Sequence, residues 1–190
     1  MFQRNNKLAI FFASVSLFAL PFQLLAQKVN QSSNARNTVF IEIGGNAGQY
    51  AFNYGRIFYQ KEAFKLTATS GFSLWAEKID GSTVWNPALP LELTSLLGRN
   101  RHHLELGFGI TPFLEAEIIS SFESGELVQT KGSRDLGAIL PFRIGYRYQK
   151  PEQGFFFRLG YTPFFKFTGN SEENITFQPV HAGIGLGWSF

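Results

Sequence analysis

From Thr38 onward the dominant period of apolar side chains is two, which over runs of this length means β-strands with one apolar face and one polar or small face. Val39, Ile41 and Ile43 alternate with Phe40, Glu42 and Gly44, and Phe52 and Tyr54 with Asn53 and Gly55. Phe64, Leu66 and Ala68 alternate with Lys65, Thr67 and Thr69, a phase that continues through Phe72 and Leu74. Leu89, Leu91 and Leu93 interleave Pro90, Glu92 and Thr94; Leu104, Leu106, Phe108 and Ile110 interleave His103, Glu105, Gly107 and Gly109. Leu140, Phe142, Ile144 and Tyr146 surround Pro141, Arg143, Gly145 and Arg147, while Phe157, Leu159 and Tyr161 bracket Arg158 and Gly160. The last run, Val180 to Phe190, sets Ala182, Ile184, Leu186 and Trp188 between His181, Gly183, Gly185, Gly187 and Ser189.

Two architectures use such strands, a soluble β-sandwich and a membrane barrel, and three features select the second. Aromatic residues gather at strand ends on the apolar face: Phe58, Tyr59, Tyr146, Tyr148, Phe155, Phe156, Phe164, Phe165, Trp188 and Phe190. Interfacial girdles of a membrane barrel need aromatic rings in those places. The opposite face carries Glu, Arg, His and Gly, which suits a filled polar lumen. Connections also alternate in length: 59–63, 98–102 and 149–153 are short, while 77–86, 119–135 and 168–177 are longer. Short periplasmic turns and long outer loops have that asymmetry. The expected fold is therefore all-β: a closed antiparallel up-and-down transmembrane β-barrel over residues 38–190, with about eight strands, the smallest bacterial number.

Composition agrees. Aromatic residues make up 16% of the chain, yet the mean hydropathy is only -0.05. Helical spans, apolar all round, would raise it far above that, whereas alternating strands average out. The absence of cysteine excludes disulfides, thiolate metal sites, a cysteine nucleophile and a lipid anchor on cysteine. At the start, Arg4 and Lys7 precede an apolar stretch over residues 8–20, Pro21 ends it, and Ala26 offers a cleavage point before Gln27. That is the form of an export signal, too short to span a bilayer as a helix. Residues 1–26 are read as a signal peptide and 27–37 as a polar periplasmic lead-in. Removing Arg4 and Lys7 lowers the net charge from +3 to +1. No basic field remains for a nucleic-acid partner.

The ending Gly183-Ile-Gly185-Leu-Gly187-Trp188-Ser189-Phe190 resembles the assembly signal of outer-membrane barrels, a last alternating strand closed by phenylalanine. Val39–Gly48 with Tyr54 and Arg56, and Pro90-Leu-Glu92-Leu with His103-Leu-Glu105-Leu-Gly107, resemble small outer-membrane β-barrel proteins of Gram-negative bacteria. The resemblance covers the whole mature chain. It implies an outer-membrane location, a surround of outer-membrane lipid, and insertion by the barrel-assembly machinery with Trp188 and Phe190 in the recognised strand. It implies no catalytic residue.

Chemistry-bearing motifs are few. The glycine runs at 107–109 and 183–187 lack the following helix that a dinucleotide cradle needs, and read as strand glycines that leave room in a narrow lumen. His102 and His103 are adjacent, so on a strand they face opposite sides and cannot share one ion. Neither a metal nor a cofactor is expected. A lipid-modifying enzyme would need a histidine paired with a serine or carboxylate near the outer leaflet. His103 falls at the periplasmic rim, and His181 points inward with the glycines. Glu92 and Glu105 have inward parity and stand equally far from a turn centred between Gly98 and Arg99, which would make them cross-strand neighbours. Arg143 and Arg158 form a similar pair about the turn near Lys150 and Pro151. Opposed carboxylates repel unless cations intervene. Glu42, Glu92, Glu105, Arg143 and Arg158 are thus expected to form a buried ionic cluster that fills the lumen; a catalytic carboxylate pair is the other reading.

The functional expectation is a monomeric, non-enzymatic outer-membrane barrel with a structural or surface-interaction role, residues 119–135 being the candidate contact for an extracellular partner. Two other classes stay open: a binding or translocation barrel for small apolar solutes, and an outer-membrane lipid-modifying enzyme. Because Phe190 is assigned to recognition during insertion, its deletion should lower the surface level in cells more than it lowers unfolding resistance in detergent. Immunodetection on intact cells against a urea titration of the refolded protein measures both, and unchanged surface levels would refute the assignment.

Overall fold

The computed structural model describes residues 33–79, 82–123, 126–168 and 175–190. Residues 1–26, read as the signal peptide, and 27–32 of the lead-in lie outside them. Among the described residues eleven strands form: β1 (Asn37–Gly44), β2 (Tyr50–Lys61), β3 (Phe64–Ile79), β4 (Ser82–Ala88), β5 (Leu91–Leu97), β6 (His102–Glu123), β7 (Glu126–Gln149), β8 (Gly154–Tyr161), β9 (Phe164–Phe167), β10 (Ile175–Gln178) and β11 (Ala182–Ser189). They make eight staves, because three staves are interrupted. β4 and β5 both pair with β3 and are separated at Leu89-Pro90; β8 and β9 both pair with β7 and part at Thr162-Pro163; β10 and β11 part around Pro179. Proline has no N–H for the ladder, so each break falls where a donor is missing. The carbonyls still serve: Phe142 N donates to Pro163 O at 2.9 Å, and Gly71 N to Pro90 O at 2.8 Å.

Each stave pairs antiparallel with the next, and the last strand, β11, pairs with β1 from Thr38↔Ser189 to Gly44↔Gly183. The sheet closes on itself as a barrel of eight staves. Carrying the register once around the ring raises the level on β1 by about ten residues, the stagger that steeply tilted strands give.

Side chains are partitioned opposite to those of a soluble protein. Outward positions carry Val39, Ile41, Ile43, Phe52, Leu93, Phe108 and Ile144, with Ile43 64% and Phe108 60% exposed, while Glu42, Glu105, Arg143 and Arg158 are buried. Phe58 and Tyr59 are neighbours yet both face out, because a bulge between Ile57 and Tyr59 shifts the register there. Two expected girdle members turn inward instead. Phe156 is fully buried against Phe40, ring centroids 4.9 Å apart, and Phe164 packs on a core of Trp75, Ala88, Phe113 and Ile139.

The expected long loops are largely strand. β3 continues to Ile79 and β4 starts at Ser82, and β6 and β7 pair up to Glu123↔Glu126 across much of the 119–135 stretch. Backbone ladders do not depend on side-chain alternation, so they run past the point where period two fades. At the opposite end the chain before β1 is not a free lead-in. Ser33 and Ala35 are buried, Ala35 N donates to Pro151 O at 2.9 Å, and Gln149 Nε2 donates to Ala35 O at 2.9 Å. The short-turn mouth is thereby stoppered.

A closed ring has no strand from which to unzip. Unboiled protein in detergent should therefore migrate faster on a gel than boiled protein; identical migration would argue against closure.

Candidate functional site

The lumen is filled in layers. Above the mouth, toward the long hairpins, lie Phe40 and Phe156; next come three carboxylates and three guanidiniums; an apolar layer of Trp75, Phe113 and Ile139 closes the far side. Glu42 comes from β1, Glu92 from β5, Glu105 from β6, Arg143 and Arg147 from β7, and Arg158 from β8. Period two alone aims all six inward.

The geometry centres on Arg158. Its Nη2 lies 2.7 Å from Glu92 Oε1, and its Nε lies 3.2 Å from Glu105 Oε2 and 3.6 Å from Glu42 Oε1. Arg143 takes a second position on two of the same acids, with Nε 2.8 Å from Glu92 Oε1 and Nη2 2.8 Å from Glu42 Oε1. Arg147 pairs with Glu105 and reaches Thr67 Oγ1 at 3.5 Å. Three negative and three positive charges balance, and every side chain involved is buried. The guanidiniums also rest on rings: Arg158 Cζ sits 5.3 Å from the centroid of Phe40 and Arg147 Cζ 5.2 Å from that of Phe156. A desolvated cation over an aromatic face is favourable by about 2 kcal/mol.

Glycines make the space. A Cβ on Gly185 would lie 2.8 Å from Arg158 Cγ, and one on Gly45 would lie 2.4 Å from the Glu42 carboxyl carbon. Gly45 also has a φ of 65°, which suits glycine, and begins a 3-10 turn, Gly45–Ala47, that folds into the lumen. That turn brings Asn46, whose Oδ1 accepts from Arg143 Nη2 at 3.0 Å and whose carbonyl accepts from Thr111 Oγ1 at 2.8 Å.

The five residues expected from parity are brought together, but by other pairings. Glu92 stands opposite Gly109, and Glu105 opposite Leu96; they are not cross-strand neighbours. Asn100 has a φ of 62°, and Leu97 opposes Leu104, so the register centres the reversal between Asn100 and Arg101, two residues later than a tight turn at Gly98-Arg99 would put it. Likewise Arg158 opposes Arg147, not Arg143. Arg147 and Asn46 join the cluster beyond the five residues expected from parity. Arg147 carried the signal, the same parity as Arg143; Asn46 carried none, because its place depends on the turn folding inward.

The histidines stand outside the cluster's ion pairs, with His103 and His181 flanking it inside the ring. His103 Nε2 lies 2.8 Å from Lys65 Nζ near the short-turn end, and His102 Nδ1 contacts the Tyr146 hydroxyl at 2.6 Å on the outer face. His181 packs edge-on against Phe164 at 5.0 Å, and its buried Nε2 has no hydrogen-bond partner among the described residues. Trp188 on β11 and Phe190 just past it face outward, and Phe190 N and O bond Asn37.

The fold and this interior define a closed all-β barrel with an ion-paired, side-chain-filled lumen. No protein-family model and no curated protein matches the chain. Among solved structures it is similar to the N-terminal β-barrel domain of Pseudomonas aeruginosa OprF, with a TM-score of 0.43 and 13% identity over 82% of this chain and 96% of that one.

Replacing Arg158 by Met removes the cation shared by all three glutamates. Leaving buried charge uncompensated should destabilise the barrel by roughly 3 to 5 kcal/mol. Urea titration in lipid vesicles measures this against Arg36→Met, at an exposed rim position, which should change the midpoint little.

Proposed function

We propose that the chain is a non-enzymatic barrel of the bacterial outer membrane, held closed by its ionic cluster, with a structural or surface-interaction role. One observation carries the reading: large apolar side chains cover the outside of the ring while the charged ones are buried within it. Water would penalise that partition and a bilayer rewards it. On this reading residues 1–26 direct export and are removed, the short turns and both termini face the periplasm, and Trp188 and Phe190 lie in the strand that the assembly machinery receives. β6 and β7, the longest strands at 22 and 24 residues, would carry their hairpin farthest from the cell and offer it to a partner.

The interior supports a plug over a conduit. From Ala35 and Gln149 at the mouth, through the ion pairs, to Trp75 and Phe113, whose centroids are 5.0 Å apart, successive layers touch across the lumen. The same filling leaves a carrier of apolar solutes little interior room. The lipid-modifying reading would need a hydroxyl or carboxylate on His181, whose buried Nε2 lies beside Phe164 without a hydrogen-bond partner among the described residues. Reconstituted into planar bilayers, the protein should give no steady conductance of porin size. Reproducible large steps would overturn the filled-lumen reading.

A further inference from the structure

Between the turns and the level of Gly44, Arg56 of β2 is the one charged side chain on the outer surface of the ring among the described residues. It stands level with Asn37 on β1 and Ala68 on β3, and it has no ion pair within the described residues. Asn37 is the first residue of β1 and bonds the terminal Phe190, so Arg56 lies toward the short-turn end of the apolar belt. An arginine on the lipid face costs about 2–4 kcal/mol at the bilayer midplane and about 0–1 near the interface. From this height its guanidinium reaches the headgroup layer.

The wall beside it is indented. Ala68 and Ser70 are small outward residues of β3, each flanked across the sheet by taller side chains: Arg56 and Leu93 for the first, Tyr54 and Leu91 for the second. A groove of about 610 Å³ runs over them from Arg56 toward Phe108. A second, of about 690 Å³, lies between Tyr54, Phe72 and Trp188. The two share Tyr54 and Ser70, so Tyr54 is a ridge between parallel troughs, and its hydroxyl donates to Asn37 Oδ1 at 2.8 Å.

We propose that this face binds one anionic glycerophospholipid of the adjacent leaflet, its phosphate on Arg56 and its two acyl chains in the grooves flanking Tyr54. The proposal rests on the reading of the barrel as membrane-spanning. Charge selects the occupant. A guanidinium takes a phosphate in two parallel hydrogen bonds, and the carboxylates of the described ring lie in the lumen, in the turns or in the long β3–β4 and β6–β7 hairpins, away from it. A second copy docked about a twofold axis here would bring two Arg56 side chains together, which disfavours that partner.

Native mass spectrometry of the full chain in detergent, titrated with phosphatidylglycerol and phosphatidylcholine, tests it. One phosphatidylglycerol should be retained per chain, with a preference of about fivefold over phosphatidylcholine, as expected for one basic residue at a membrane surface. Arg56→Gln should abolish the preference, Arg36→Gln should keep it, and Ala68→Phe should weaken retention by filling one groove with Arg56 intact. Excess glycerol 3-phosphate should not displace the lipid. Undiminished preference in Arg56→Gln, displacement by glycerol 3-phosphate, or dimer masses instead of lipid adducts would each overturn the site. Gel mobility of unboiled samples is read alongside. Wild-type protein that is not heat-modifiable would overturn the barrel reading itself, whereas a heat-modifiable barrel without lipid preference overturns only this site.

Discussion

Six charged side chains stripped of water inside a narrow ring are stable only when each meets an opposite charge. Each ion removed from water costs several kcal/mol even after relaxation, and the mutual attraction offsets this only when geometry is good and the remaining donors are met. Arg158 meets the charge requirement by lying within 3.6 Å of an oxygen on each of Glu42, Glu92 and Glu105. Much of the remaining interior follows from that requirement. Gly185 is small because the Arg158 stem passes over it, Phe40 and Phe156 lie where the guanidinium faces need support, and Gly45–Ala47 folds inward to bring Asn46 to Arg143.

The ion pairs also reach beyond neighbouring strands. Glu92 on β5 meets Arg158 on β8 across the lumen, and Glu42 on β1 meets Arg143 on β7. Backbone ladders bind each stave only to the next, and an eight-membered ring held by ladders alone could flatten toward an ellipse. Cross-lumen charge pairs resist that deformation because flattening separates oppositely charged ends. The apolar layer of Trp75, Phe113 and Ile139 fills its own level by contact, but dispersion is non-directional and holds no particular pair of staves together.

Period two was the legible part of this structure, and its limits have physical causes. It assigns an inward or outward face, so Glu42, Glu92, Glu105, Arg143 and Arg158 could be named from parity. It carries no register, which depends on how many residues a turn consumes. The reversal at Gly98–Arg101 takes more than a tight turn would, and that difference moved Glu105 opposite Leu96. Parity also fails across irregularities: the bulge beside Phe58 put two consecutive aromatics outside. Phe156 had the inward parity of Arg158, yet its aromatic character suggested the girdle; within the lumen an aromatic ring is what a buried guanidinium rests on. The inward turn at Gly45–Ala47 was beyond reach, because a short polar connection looks the same whether it faces solvent or a cavity.

These features converge on register as what the cluster controls. A slip of one residue in any stave turns its charge out to the apolar face, and a slip of two moves it about 7 Å along the barrel, out of reach of its partners. The glycine-rich β11 would otherwise be poorly specified, since Gly183, Gly185 and Gly187 offer the lumen no side chain to pack. Its register is imposed from outside itself. Gly183 fits beneath Gly45, where a Cβ would come within 2.6 Å of backbone, and Gly185 fits beneath Arg158. A slip by one would drive Ile184 or Leu186 into those same gaps. The strand that closes the ring is thus aligned by the absence of side chains at Gly183 and Gly185 against residues that the ion pairs have already positioned.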